Sequence, residues 1–185
     1  MTPDTAPLPS QAAPSPASPT QGMDALHPSF GYAMTAARLL GLEHYNYGIG
    51  GAVFAAESLP EAPVASPQGI VVAYGTNDWS GALSAELARA YLQRVRTLWP
   101  RTPVTVLEPL WRAIADGPEG KPNDSGQTLA AYRTELAGIV SAMGDMRYIR
   151  HAELLPSGPA LLADGTHPGD AGHLVYGANL ARLMS

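Results

Sequence analysis

The sequence predicts an α/β fold with a parallel sheet, and two observations carry that prediction. Residues 69–74 (Gly-Ile-Val-Val-Ala-Tyr) and 103–108 (Pro-Val-Thr-Val-Leu-Glu) are continuous apolar runs, the pattern of strands buried on both faces. Residues 84–99, between them, repeat apolar side chains at helical spacing. A strand, a helix and a second strand in that order form a right-handed crossover between parallel strands.

The other elements follow in chain order. Residues 1–19 contain Pro3, Pro7, Pro9, Pro14, Pro16 and Pro19. Repeated proline removes backbone donors and fixes φ, so this stretch reads as a disordered tail and residues 20–185 as the domain. Phe30, Met34, Ala37, Leu39 and Leu40 fall near helical spacing, and Gly41 stands where a C-terminal cap is expected. Residues 43–46 read as a short strand that ends in Tyr47-Gly48-Ile49-Gly50-Gly51. Leu83, Leu87, Tyr91, Val95 and Leu98 form the stripe of the helix over 84–99, which Pro100 terminates. Residues 115–126 read as a polar loop. Leu129, Tyr132, Leu136, Ile139, Val140 and Met143 mark the next helix, and 146–151 a last short strand. Residues 170–184 form a closing helix with Leu174, Ala178 and Leu183 on one side.

Composition excludes several functions. The chain has 185 residues, a formal net charge of -5 and no cysteine. The acidic balance argues against nucleic acid as the partner. Without cysteine there is no disulfide, thiolate metal site or cysteine nucleophile. No apolar run reaches the roughly 20 residues of a membrane span, and no secretory signal is readable, so a cytoplasmic location is the default expectation.

Polar residues collect in three loops that follow strands or precede the last helix: 46–51, 75–78 and 164–168. In an open α/β sheet, ligands bind outside the carboxyl ends of the strands. Glycine lets a backbone N–H approach developing negative charge, and an asparagine amide adds a second donor. An aspartate on the same loop as a histidine can fix its tautomer and stabilise the imidazolium.

Three of these segments carry a resemblance to the SGNH hydrolases, also called the GDSL esterase/lipase family. Asn46-Tyr47-Gly48-Ile49-Gly50-Gly51 is similar to the family's second block. Gly75-Thr76-Asn77-Asp78 resembles its third, and Asp164-Gly165-Thr166-His167-Pro168 its fifth. The resemblance covers about residue 20 to the C-terminus. It implies a three-layer, flavodoxin-like fold and hydrolysis of short-chain or carbohydrate acyl esters without a cofactor or metal. By resemblance, His167 is the general base, Asp164 its orienter, and Gly51 and Asn77 the oxyanion donors, with Gly50 the competitor to Gly51. Asp78 is expected to tie down its own loop. Tyr45, Tyr47, Trp79 and Trp111 are candidates to line a cleft for a small-molecule ester.

The first block departs from the family. The nearest match is Pro16-Ala17-Ser18-Pro19-Thr20-Gln21-Gly22, in which Ser18 occupies the nucleophile's position. Pro16 and Ala17 stand where the family has Gly and Asp, and proline-rich sequence stands where it has a central strand. The first strand is therefore expected to be missing, with 43–46 either pairing directly with 69–74 or leaving a gap. Two readings of function follow: a Ser-His-Asp ester hydrolase, or a catalytically impaired domain of the same fold, binding-only or the product of a truncation or frameshift.

Overall fold

The computed structural model describes residues 12–13, 18–62 and 66–185; Ala12, Ala13 and Ser18 are described by their backbone alone. Four parallel strands lie in the order β1 (Ala12–Ala13), β2 (Gly69–Val72), β3 (Val104–Leu107) and β4 (Met146–Ile149). Ile70 pairs with Val104, and Val104 in turn with Met146.

The helices are α1 (Ser18–Gln21), α2 (Tyr32–Leu40), α3 (Thr76–Ser80), α4 (Glu86–Leu98), α5 (Ala113–Asp116), α6 (Leu129–Met143), α7 (His151–Leu154) and α8 (Asp170–Met184). α4 and α6 cover one face of the sheet, where Ile70, Val72, Val104 and Val106 meet Tyr91, Leu92, Leu136 and Val140. α2 and α8 cover the other, with Val71, Ala73, Leu107 and Ile149. The split of adjacent strand residues between the two faces is the period-two alternation of a strand. The result is three layers, as expected from the sequence.

Local signals set several boundaries. Thr128 Oγ1 accepts the N–H of Ala131 and caps α6. Gly41, with φ of 66°, ends α2 and donates its N–H to Ala37 and Arg38 carbonyls. α8 runs over the residues expected, but its buried stripe does not. His173, Tyr176, Gly177, Leu180 and Ala181 face the core, whereas Leu174 is 61% exposed. Gly177 permits this face, because a Cβ there would lie 2.6 Å from Thr35 Cβ and 2.7 Å from the Tyr32 carbonyl. On α4 the stripe shifts similarly: Ala88 and Leu92 are buried with Tyr91, Val95 and Leu98, while Leu87 is exposed.

Two expectations are corrected. Residues 43–46 form no strand, and β2 pairs instead with β1, Ala12 opposite Gly69 and Ala13 opposite Ile70. The first strand is thus present but two residues long. So short a strand offers little ladder for 43–46 to extend. Asn46 also spends its amide on local backbone, donating to the Thr20 carbonyl and accepting from Gly48 N–H.

Candidate active site

The loop before α8 is closed by a bridge between Leu162 and Pro168 and by Ala163 N–H donating to the His167 carbonyl. Within it, Asp164 Oδ1 accepts the backbone N–H groups of Thr166 and His167 at 2.8 and 2.7 Å. Its Oδ2 meets His167 Nδ1 at 2.8 Å. Desolvation raises the Asp164 carboxyl, but the hydrogen bonds from His167 and Thr166 outweigh it and hold the group down at about 2. An ionised acceptor at Nδ1 selects the tautomer with the proton there and leaves Nε2 free to take one. Asp24 Oδ2 stands 3.4 Å from the same Nδ1.

His167 lines a cavity together with Asn77, Pro19, Thr20, Glu108 and Arg112. Asn77 opens the first turn after β2, where Gly75 takes φ of 107°. A side chain on Gly75 would meet Pro109 Cγ at 2.9 Å and Tyr132 at 3.1 Å. Asp78 is fully buried and accepts the N–H groups of Gly75 and Phe54, tying two loops together as expected. Asn77 donates one Nδ2 proton to the Ala52 carbonyl at 2.9 Å. An amide has two such protons, so one remains.

Ser18 is the first residue of α1, and its side chain lies outside the described residues. Its neighbours Pro19 and Thr20 stand in the cavity wall. α1 is held from several directions. Thr20 Oγ1 meets Tyr32 OH at 2.6 Å, Asn46 binds the Thr20 carbonyl, and Gln21 Oε1 accepts Gly50 N–H. Gly48 lies flat against the same turn, since a Cβ there would come within 2.6 Å of Gln21 N. Gly51, with φ of 80°, adjoins Ala52 and so the Asn77 amide, but does not itself line the cavity.

Some residues fall elsewhere than expected. Trp79 is buried in the core, and Tyr45 and Tyr47 line a separate apolar cavity with Tyr32, Ala36, Leu40 and Val71. Trp111 lines neither cavity. Glu108, Arg112 and Asp24 were not singled out from sequence. Glu108 directly follows a buried strand, so the strand-end rule could have found it; Asp24 and Arg112 carry no local signal. Among the described residues, Asp24, Asp164 and His167 form a group whose ligand atoms, all within 4.8 Å of one another, could meet one cation.

His173 on α8 supports the site from behind. Its Nδ1 accepts Tyr32 N–H at 3.2 Å, so its Nε2 carries the proton that meets the Met23 carbonyl at 3.0 Å. Asp170 on the same helix accepts Leu26 N–H. Burial pushes the His173 imidazole below its usual value, against the pull of the Met23 carbonyl and of Asp170 and Asp24. The unfolded chain then binds the proton first as pH falls below about 6.5. Stability attributable to this residue is complete above that pH and is lost as pH drops toward the lowered folded value. The melting temperature, scanned between roughly pH 5 and 8, should therefore fall on acidification, and fall less steeply in His173→Gln. Parallel slopes in the two proteins would exclude His173 as the titrating group.

A three-layer α/β domain with an aspartate–histidine pair on the loop before its last helix has the architecture of acyl-ester hydrolases. The chain belongs to the GDSL-like lipase/acylhydrolase family, whose model matches residues 17–175. No curated protein matches the sequence. Among solved structures it is similar to SsfX3, a salicylyl-acyltransferase from a tetracycline biosynthetic pathway. That match has a TM-score of 0.79 and 20% identity, over 98% of this chain and 55% of that one. A putative GDSL-like lipase from Bacteroides ovatus gives 0.77 and 19%, over 97% and 53%. A family 2 carbohydrate esterase from Corynascus thermopiles (Myceliophthora fergusii), with its carbohydrate-binding domain, gives 0.71 and 19%, over 97% and 67%. This chain thus spans about half the length of the first two. Among the described residues no helix is long and apolar enough to cross a membrane.

Proposed function

We propose that the chain is a serine ester hydrolase acting on short acyl esters, acetylated carbohydrates among them. One observation carries this reading. His167, held by Asp164, and Asn77 line one cavity with Pro19 and Thr20, the residues that directly follow Ser18. In this mechanism Ser18 Oγ attacks the acyl carbonyl and passes its proton to His167 Nε2. The Asn77 amide and the serine's own backbone N–H hold the oxyanion, and the imidazolium returns the proton to the leaving alcohol. Water then repeats the sequence on the acyl-enzyme. The carbohydrate part of the reading draws support from the likeness to the family 2 carbohydrate esterase.

The second reading, a binding domain without turnover, is favoured by the two-residue β1 ahead of a serine followed directly by proline. Labelling with a fluorophosphonate probe separates the two. Stoichiometric modification of Ser18, abolished in His167→Ala, is the expected result. A folded protein that takes up no label, or labels at another serine, would remove Ser18 as nucleophile.

A further inference from the structure

The cavity holds a cation that the hydrolytic mechanism does not use. Arg112 lines it, as does Glu108. The carboxylates of Asp116, Asp164 and Glu108 are already engaged. Asp116 accepts the Arg112 backbone N–H, but its two oxygens take a forked pair from Arg133 at 2.7 and 2.9 Å. Asp164 is held by His167 and two backbone N–H groups. Glu108 accepts His151 Nδ1, the His151 backbone N–H and the Tyr148 hydroxyl. Among the described residues Arg112 forms no ion pair. Its guanidinium makes one hydrogen bond, from Nη1 to Ser80 Oγ at 2.6 Å, and Nε is buried without a partner. The guanidinium carbon lies 6.0 Å from the centre of the Trp79 ring.

A guanidinium carries five donors in a fork that matches a carboxylate. Partial burial of a cation that no carboxylate pairs directly is costly, and it lowers the proton affinity of Arg112 against the pull of the Asp164 and Asp116 charges. An anion entering the cavity would remove that cost, whereas a neutral ligand would leave it in place.

We propose that Arg112 makes this cavity selective for esters that bear a free carboxylate besides the scissile bond, such as half-esters of dicarboxylic acids. This rests on the reading of the cavity as the hydrolytic site, and binding and turnover are therefore measured separately. In calorimetric titrations the protein should bind monomethyl succinate more tightly than dimethyl succinate, and the preference should shrink from roughly 10 mM to 1 M salt. Arg112→Gln should cut the preference by about 10–100-fold, the scale of a charged hydrogen bond, and Arg112→Lys should retain part of it. The kcat/KM ratio of p-nitrophenyl hemisuccinate to p-nitrophenyl acetate should fall in step.

Equal binding of the two succinates by the wild-type protein would overturn the proposal. So would a preference that survives Arg112→Gln or is insensitive to salt. Should Arg112→Gln not fold, the salt dependence and the lysine variant decide. Preference without turnover supports the anion site and removes the hydrolase reading; turnover of acetate with no preference does the reverse.

Discussion

Replacing His167 with alanine should lower kcat for p-nitrophenyl acetate by about 10³-fold or more, the scale on which members of a serine triad act. The effect should fall on kcat because the imidazole's task is to receive and return a proton, and neither transfer occurs in the ground state. The geometry supports that division of labour. Asp164 occupies Nδ1 and leaves Nε2 free on a residue that lines the cavity. The variant should fold, since the ring is partly exposed and the loop is closed by backbone bonds that alanine keeps. Circular dichroism alongside steady-state kinetics checks both statements. Wild-type turnover in a folded His167→Ala protein would sink the base assignment.

Asn77→Ala should cost about 10²–10³ in kcat with KM little changed, the effect of removing one oxyanion donor. The free Nδ2 proton of Asn77 gains its full worth only when the carbonyl oxygen becomes negative. Asn77→Asp gives the sharper comparison, since it keeps the size and replaces a donor by an acceptor; it should be at least as damaging. A rise confined to KM would mean that Asn77 binds substrate in its ground state. Because Asn77 also donates to the Ala52 carbonyl, a melting curve is needed to show that its loop has stayed in place.

Much of this architecture is legible in the sequence because it depends on short-range pattern. β2 and β3 are apolar runs between polar loops, and α6 announces itself by the helical spacing of Leu129, Tyr132, Leu136, Ile139, Val140 and Met143. The Asp164–His167 pair is legible for the same reason, being three residues apart on one turn. What is hidden depends on distant partners. Residues 43–46 read as a short strand before a glycine-rich loop, yet they form none, and β2 takes the two-residue β1 as its neighbour. The buried side of α8 could not be read from Leu174, because Gly177 lets α2 approach a different face. Arg112 has no motif around it, and its significance lies in the carboxylates that Arg133, His167 and His151 have taken from it.

The attachment of α8 to the serine block has a consequence for synthesis. His173 reaches back to Met23 and Tyr32, and Asp170 to Leu26, across 141 to 150 residues of chain. Contacts so far apart in sequence close late in folding, after the loops between them have been organised. A chain still on the ribosome, with its sheet and first helices in place, lacks these tethers until α8 emerges from the exit tunnel. Until then the segment that follows the candidate serine is left without its anchor on α8.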